Sequence, residues 1–217
     1  MNVKIYKEPN PNEVYAIGAD VAEGLETGDF SSAFVINKEL EQVASYHGHC
    51  DPDLFGRFLC RLGQHYNSAL LAPEVNNHGF TTLSVIKNAQ YPHVYFRMVK
   101  EEMSDAYTKK LGWNSNMKTK TKMLDDFVGA YRDHSIQIND VDLLREMLSV
   151  TIESDGGVNL NGKDRVVAAA IALQAINQAI SEGFEAYVPG KNKKMPTTKK
   201  EKLEKLSRRM VHESNFE

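Results

Sequence analysis

A chain of 217 residues, 41% of them hydrophobic and 25% charged, is long enough to bury one core and suits a single globular domain with a tail. No stretch approaches the roughly 18 consecutive apolar residues of a membrane span, and the N-terminus lacks the apolar run of a secretory signal. We therefore expect neither a membrane protein nor a secreted one. Cys50 and Cys60 lie ten residues apart, the first at the start of a predicted helix and the second within it, where they cannot form a disulfide, and no second pair completes a zinc site, so we expect reduced thiols and an intracellular protein.

Charge is distributed unevenly along the chain. The net charge is −3, but residues 191–217 hold nine Lys or Arg and four Glu, a net +5, so residues 1–190 carry −8. An acidic body favours a metal site surrounded by carboxylates, and a basic arm favours contact with a polyanion. The alternative for the arm is a solvated C-terminus without a partner.

The first half of the chain gives alternating strand and helix signals. Residues 1–13 contain two prolines and no apolar periodicity, so they are predicted to form a linker or N-terminal extension. Short separations between apolar runs predict three hairpin-linked strands, at 14–20, 31–38 and 42–49. A helix with an Asp-Pro start at 51–66 and a buried strand at 69–75 follow.

The second half is richer in helices. Helices are predicted at 78–90, 119–134, 140–150 and 164–180, strands at 93–99 and 136–139, a hairpin turn at 156–157, and an irregular charged stretch at 100–116. The last helix is apolar around most of its circumference, which predicts that it packs on the sheet. The compact domain is predicted to span 14–185, and residues 186–217 form the basic tail.

This order of elements predicts an α/β fold. The sheet is expected to be mixed and five-stranded, with three antiparallel strands followed by parallel strands and helices on both faces. The strand at 93–99 is expected to be its fifth member. Such an order is similar to the ribonuclease H-like arrangement.

Three carboxylates lie at the ends of buried elements: Asp20 ends the first buried strand, Glu74 ends the fourth, and Asp164 begins the last helix. If those two strands pair in parallel, Asp20 and Glu74 meet at the edge where open α/β sheets bind ligands. Close carboxylates repel one another, and an all-oxygen ligand set favours Mg²⁺ or Mn²⁺ over zinc. One or two such ions would activate water for in-line attack on a phosphodiester. Alternatively, each acid has only a local structural purpose, as a loop or helix cap or a solvated strand end.

Asp29 and His78 are auxiliary candidates for this site. Asp29 precedes the second strand and could reach the site as an outer ligand or form a turn into the strand, and His78 follows Glu74 by four residues. His47 and His49 alternate on a strand and are interpreted as polar-face residues, because no spacing typical of a zinc site occurs. The chain has no GxSxG elbow and no GxxxxGK(S/T) loop, so we expect no serine hydrolase and no ATP site.

A second positive region lies around Trp113. It is formed by Arg97, Lys100, Lys109, Lys110, Lys118, Lys120 and Lys122. In a nuclease these side chains would lie beside the acidic cleft and hold phosphates without reading sequence. The alternative is a solvated helix face with ion pairs between residues four positions apart, which would explain Lys118 and Lys122 equally well.

Four segments, in order and spacing, resemble the C-terminal nuclease domain of tailed-phage terminase large subunits: AIGADVAEGLETGDFSSAFVI, LLAPEVNNHGFTTL, LGWNSNMKTKTKMLDDF and NGKDRVVAAAIA. The resemblance spans about 14–179. It implies that Asp20 is the acid of a D-x-A-x-G motif, with Ala22 and Gly24 in register. It also implies that an E-x-N-x-x-G motif falls on Glu74, Asn76 and Gly79.

The third motif of that family is an acidic pair before an apolar helix, and here it falls on Lys163 and Asp164. The resemblance therefore implies Asp20, Glu74 and Asp164 as catalytic metal ligands, with lysine in place of the first acid of the pair. That replacement implies weaker binding of a second ion, or the use of Asp29 to complete its ligands.

The function implied by the resemblance is metal-dependent endonucleolytic cutting of concatemeric viral double-stranded DNA during genome packaging. The implied partners in the intact protein are an N-terminal packaging ATPase domain, the portal and a small terminase subunit. The implied location is the cytoplasm of the infected bacterial host, transiently at the procapsid portal, and the basic tail could contact DNA or the portal. Two alternatives stay open: another ribonuclease H-like DNA enzyme, of junction-resolvase or transposase type, and a non-catalytic DNA-binding or assembly module.

Overall fold

The computed structural model describes residues 3–25, 27–101, 106–153 and 157–185; the predicted basic tail, 186–217, lies outside the described residues. The strands are β1 (Val3–Ile5), β2 (Tyr15–Asp20), β3 (Ser31–Asn37), β4 (Gln42–Gly48), β5 (Leu70–Pro73), β6 (Phe96–Lys100), β7 (Tyr107–Leu111), β8 (Thr151–Ile152) and β9 (Val158–Asn159). The helices are α1 (Pro52–His65), α2 (Gly79–Asn88), α3 (Met117–Arg132), α4 (Val141–Leu148) and α5 (Asp164–Ser181). None of these described helices is long and apolar enough to cross a bilayer.

Five strands form one mixed sheet in the order β1-β4-β3-β2-β5. β2, β3 and β4 pair antiparallel, as their short separations predicted, and β5 pairs parallel with β2. The carboxyl ends of β2 and β5 therefore lie at the same edge of the sheet. The register places Asp20 opposite Ser32 and Ser32 opposite His47, so these three residues form one row across three strands.

The fifth strand of the sheet is not the predicted one. It is β1, which comes from the segment predicted to be a linker and pairs antiparallel with β4. The segment 93–99, predicted as the fifth strand, joins the sheet only at a parallel bridge between Leu71 and Val94. Beyond that bridge the chain turns away as β6, which pairs with β7 in a separate two-stranded ribbon.

Two other segments also differ from prediction. Part of 100–116, expected to be irregular, forms β7, whose YTKKL sequence has no apolar alternation and whose partner is β6. Residues 136–139, expected to be a strand, contribute a bridge between Gln137 and Glu41. β8 and β9, on either side of the predicted hairpin turn at 156–157, pair antiparallel, and residue 156 of that turn lies outside the described residues.

The last helix packs directly on the sheet, as its apolar circumference predicted. α5 lies against β2 and β3 and buries residues around nearly all of its surface. Gly18 of β2 lies so close to the backbone of Ala168 and Ala172 that a Cβ there would overlap it. Because side chains alternate along a strand, Asp20 projects toward the same face as Gly18, where α5 lies.

The opposite face of the sheet is covered by α1. Its side chains Phe55 and Leu59 are fully buried in a second core that includes Ile17 of β2. Helices therefore cover both faces, which confirms the predicted α/β architecture and leaves the carboxyl edge of β2 and β5 open for a site.

Candidate active site

The parallel pairing of β2 and β5 brings the first two predicted acids together. Asp20 is the last residue of β2, and Glu74 follows the last residue of β5. The Glu74 amide donates a 2.8 Å hydrogen bond to the carbonyl of Ala19, which extends the ladder to the edge of the sheet. The backbone thus fixes both carboxylates at neighbouring strand ends.

The two carboxyl groups lie at neighbouring strand ends without an offsetting cation. Burial, interaction with the Glu74 carboxyl and the charge of Asp164 raise the pKa of Asp20 well above its usual range. In the described ranges, no Lys or Arg forms an ion pair with Asp20 or Glu74. The strand ends therefore hold negative charge that the described side chains do not neutralise.

Asp164 reaches this edge from above the sheet. It is the first residue of α5 and is 8% exposed. One of its carboxylate oxygens, Oδ2, lies 3.3 Å from Nε2 of His47, and its charge acts on Asp20. The three predicted acids are thus assembled in one region, with His47 as an additional member.

A short turn holds Glu74 in place. Asn76 Nδ2 donates to Oε2 of Glu74 over 3.3 Å and to the carbonyl of Val21 over 2.9 Å. Its Oδ1 accepts a 2.7 Å bond from the amide of Gly79, which opens α2. A Cβ at Gly79 would overlap the carbonyl oxygen of Glu74. The residues of the E-x-N-x-x-G pattern therefore connect both strand ends to the start of α2.

The start of α5 is capped from outside the helix. Lys163 occupies the N-cap position and makes no side-chain cap bond there. Instead, Oε2 of Glu146 on α4 accepts from the amides of Arg165 at 3.0 Å and Val166 at 3.4 Å, and its Oε1 accepts from the Arg165 guanidinium at 2.5 Å. Glu146 thereby fixes the first turn of the helix that carries Asp164.

The donor chemistry of the site suits a hard divalent cation. Asp20, Glu74 and Asp164 offer carboxylate oxygens, which Mg²⁺ and Mn²⁺ prefer. Within the described residues, no group of three His, Cys, Asp or Glu is arranged closely enough to hold an ion. The side chains form two pairs instead, Asp20 with Glu74 and Asp164 with His47. Charge and ligand type fit a cation, and binding one would require the pairs to approach each other.

The auxiliary candidates lie around this centre with different environments. Asp29 is exposed in the loop before β3, and the ring of the adjacent Phe30 packs against His47 with 4.5 Å between centroids. His78 is half-buried at the N-cap of α2. Lys163 precedes Asp164 and is half-buried. The participation of Asp29 and His78 in the candidate site therefore stays a prediction.

The predicted basic residues divide between two elements. Arg97, Lys100, Lys109 and Lys110 lie on the β6–β7 ribbon, and Lys118, Lys120 and Lys122 lie on α3. Lys122 pairs with Asp126 at 2.7 Å, four residues along the helix, as the alternative of a solvated helix face expected.

The ribbon is anchored beside Glu74. Trp113, two residues after β7, is buried, and its carbonyl accepts a 2.6 Å bond from the amide of Val75. The Arg97 guanidinium donates a 2.7 Å bond to the carbonyl of Gly112, and burial lowers the pKa of Arg97. Arg97 is thus engaged in holding the ribbon, whereas Lys110 is exposed on its surface.

Two contributors to the site were missed by sequence reasoning. His47 was interpreted as a polar-face residue, although the two histidines alternating at the end of a strand were a signal for that edge of the sheet. The capping role of Glu146 left no comparable signal, because its partners are 19 and 20 residues away along the chain.

Comparison with known proteins gives a match in structure alone. No protein-family model matches the sequence, and no curated protein matches it significantly. The magnesium-bound crystal structure of the large terminase nuclease from thermophilic phage G20c aligns over 80% of this chain and 87% of its own, with a TM-score of 0.63 and 13% identity. The cobalt-bound form of the same nuclease aligns over the same shares, with a TM-score of 0.60 and 13% identity.

A nuclease from a second phage has the same fold. The large terminase nuclease domain of Thermus phage P74-26 aligns over 79% of this chain and 84% of its own, with a TM-score of 0.58 and 15% identity. The predicted resemblance to terminase nuclease domains is therefore confirmed at the level of the fold.

Proposed function

We propose that this chain is a divalent-metal-dependent endonuclease that cuts viral double-stranded DNA during genome packaging. The observation that carries the proposal is the placement of Asp20 and Glu74 at adjacent strand ends, with Asp164 at the start of the helix packed over them and no described cation paired with Asp20 or Glu74. A structural capping role predicts separate, locally satisfied acids. Mutual repulsion among three acids from distant parts of the chain is typical of a cation site.

In such a site, some of these residues would bind the metal ion and others would orient the metal ligands. Asp20, Glu74 and Asp164 would hold Mg²⁺ or Mn²⁺ through carboxylate oxygens, and Asn76 orients the Glu74 carboxylate. A bound divalent ion would supply Lewis acidity that activates water and stabilises the leaving oxygen of the phosphodiester.

The two serine hydroxyls at the start of β3, which pairs with the end of β2, are buried and hydrogen-bonded to the backbone. Ser31 and Ser32 are buried, with Ser31 Oγ accepting from the amide of Ala22 at 3.1 Å and Ser32 Oγ donating to the carbonyl of Tyr46 at 3.1 Å. These engaged hydroxyls support hydrolysis by water rather than through a covalent serine intermediate.

The basic residues would hold DNA next to the acids. Trp113 is bridged to Glu74, and it connects the ribbon to the start of α3, so both basic elements extend from the region of the site. Lys110, Lys118 and Lys120 are exposed. Such lysines would bind phosphates without sequence preference, which suits cutting along a concatemer.

The packaging context follows from the resemblance and the shared fold. The structurally similar proteins are large terminase nucleases, and some of their crystal structures hold magnesium, zinc or cobalt. We therefore propose that this domain works with a packaging ATPase domain, a portal and a small terminase subunit. Its place of action would be the cytoplasm of the infected bacterium, transiently at the procapsid portal.

Cleavage of supercoiled plasmid tests the proposal. Wild-type protein, Asp20→Asn and Asp133→Asn are incubated with Mg²⁺, Mn²⁺ or EDTA, and nicked and linear products are measured. Asp133 is an exposed acid at the end of α3, so its variant controls for loss of one negative charge. We expect cutting in either metal by wild type and Asp133→Asn, at least about 100-fold less by Asp20→Asn, and none in EDTA.

The alternatives give different results in the same assay. Preferential cutting of four-way junctions over linear and supercoiled DNA would identify a junction-resolving enzyme. DNA binding without cutting, together with unchanged metal affinity in Asp20→Asn, would identify a non-catalytic binding module and overturn the proposal.

A further inference from the structure

His47 lies at the site through the geometry of the sheet. Asp20, Ser32 and His47 occupy one row across β2, β3 and β4, so their side chains share the face covered by α5. Ser32 between them is small and buried, with its hydroxyl bonded to the backbone. The row therefore has an acid at one end, an imidazole at the other and a small side chain between them.

Asp164 occupies the space above this row. Its charge acts on Asp20, while its Oδ2 lies 3.3 Å from Nε2 of His47. A carboxylate can only accept hydrogen bonds, so the imidazole N–H donates to Oδ2. That bond occupies one oxygen of Asp164 and fixes the rotation of the carboxylate, which leaves the other oxygen for a ligand.

The imidazole itself is held by aromatic packing. The ring of Phe30 lies 4.5 Å from that of His47 and 4.1 Å from that of His49, measured between centroids. The His47 side chain is 17% exposed, so its donor is partly shielded from water that would compete for it. A restrained donor aimed at a carboxylate is the arrangement by which outer groups orient metal ligands.

We propose that His47 is a positioning residue that holds Asp164 in the orientation needed to bind a divalent cation. The proposal rests on the proposed function, because it assumes that Asp164 is a metal ligand. The hydrogen bond from His47 would fix the Asp164 carboxylate, the third of the proposed metal ligands. Such fixing matters because Lys163 occupies the position where an acidic pair would have a second carboxylate. The Nε2 donor comes from β4, a strand that contributes none of the three acids.

The test compares metal affinity and cleavage in variants of His47. Mn²⁺ affinity of the DNA-free protein is measured by calorimetry, and plasmid cleavage is measured as kcat and KM. His47→Ala and His47→Leu remove the donor, and His47→Gln keeps an amide N–H at similar reach. His65→Ala is the matched control, since His65 lies on α1 on the other side of the sheet.

We expect the donor-free variants to bind Mn²⁺ about 10-fold more weakly and to lose about 10–100-fold in kcat, with KM for DNA nearly unchanged. His47→Gln should recover both quantities to within about threefold of wild type, since the amide replaces the donor. His47→Leu preserves side-chain volume, so the comparison with Gln stands even if the Ala variant fails to fold.

Asp20→Asn, measured alongside, separates the two proposals. If it loses metal affinity and cleavage while the His47 variants match wild type, the positioning role is wrong and the nuclease proposal survives. If His47→Gln is as impaired as His47→Leu, donation to Asp164 is not what His47 contributes, and the inference is overturned. If Asp20→Asn changes neither quantity, the proposed function itself fails.

Discussion

Gly79 packs directly against the backbone of Glu74, one of the proposed metal ligands. The Cβ of any other residue would overlap the carbonyl oxygen of Glu74, and the Gly79 amide is bonded to Asn76. Relief of that overlap would move Glu74, Asn76 or the start of α2. The identity of residue 79 therefore controls the position of a proposed metal ligand.

We expect Gly79→Ala to lower the free energy of unfolding by about 1–3 kcal/mol, the usual range for overpacking, and to reduce plasmid cleavage at least about 10-fold. Urea denaturation and the cleavage assay measure the two effects. Gly129→Ala is the control, because no atom lies within 4 Å of its Cβ position on α3. Replacing a helical glycine should raise stability by about 0.5–1 kcal/mol, so a loss there would contradict the steric argument.

The charge of Asp20 is expected to lower the stability of the metal-free protein. Burial and the negative charges of Glu74 and Asp164 raise the pKa of Asp20, so the ionised carboxylate destabilises the metal-free fold. At a pH above this raised pKa the carboxyl is ionised, so Asp20→Asn removes one of the repelling charges and should raise the melting temperature of the metal-free protein by at least about 2 °C, given about 2–4 °C per kcal/mol at this size.

Addition of Mg²⁺ should make the melting temperature of wild type higher than that of Asp20→Asn. Wild type gains stability by binding the ion, whereas Asp20→Asn gains little, because linkage depends on the affinity for the folded state. Differential scanning fluorimetry in EDTA and in Mg²⁺ measures both shifts. A lower melting temperature for Asp20→Asn in EDTA would show that the carboxylate is stabilising and that repulsion at the site is wrongly inferred.

At the scale of single elements, α5 depends on a cap provided by α4. Glu146 accepts from two amides of the first turn of α5 and from the Arg165 guanidinium, and its side chain is only 13% exposed. We expect Glu146→Ala to lower the free energy of unfolding by about 1–2 kcal/mol, as for loss of a helix cap with a charge contribution.

The same substitution should also affect cleavage, since the first residue of α5 is Asp164. A loss of about 10-fold or more is expected when the first turn frays. Glu146→Gln, which keeps one acceptor oxygen, should fall between wild type and Ala. Asp125→Ala, an exposed acid on α3, serves as the control. Equal cleavage by wild type and Glu146→Ala would show that the cap does not position Asp164.

Helices were predictable because their signals are local. Apolar periodicity placed the bounds of the five helices in the described part of the chain within two residues of those observed, and the mostly apolar sequence of α5 predicted its burial on the sheet. The parallel pairing of β2 with β5, which the sequence allowed only as a condition for bringing Asp20 and Glu74 together, is present in the sheet. The candidate acids were found because they end or begin such elements.

Strand partners were less predictable because alternation does not specify a partner. The segment 93–99 alternates like a sheet strand, yet β6 pairs with β7, whose polar sequence carries no strand signal. β1 has three residues, too few for a local pattern to identify, and it is held by pairing with β4 and by ion pairs of Lys4 with Asp140 and Asp142. The contact of His47 with Asp164 spans 117 positions, so no local pattern could report it.

For the whole molecule, the distribution of charge raises the question of how an acidic body binds DNA. Residues 191–217 carry a net +5, and the rest of the chain carries −8. DNA affinity depends on cations that displace counterions from phosphates, so the basic residues outside the acidic site must supply it. We propose that the β6–β7 ribbon and α3 provide some of them and that the tail provides more.

Deletion of residues 186–217 tests the contribution of the tail. The cut must follow Glu185, because Phe184 packs against the core and its ring lies 5.0 Å from that of His93. Each phosphate contact contributes about −0.9 to the slope of log K against log salt, and residues 191–217 hold nine Lys or Arg. We expect the deletion to weaken binding at low salt and to flatten the slope by at least about 2.

Fluorescence anisotropy with a labelled duplex in EDTA measures the slope without cleavage. The double variant Lys118→Gln with Lys120→Gln measures how much α3 contributes to the slope of log K against log salt, since both lysines are exposed on that helix. Full-length and shortened chains with equal slopes would show that the tail does not bind DNA, and the phosphate contacts would then belong to the ribbon and α3. Unequal slopes with additive losses would instead show that the tail and α3 contribute phosphate contacts independently of each other.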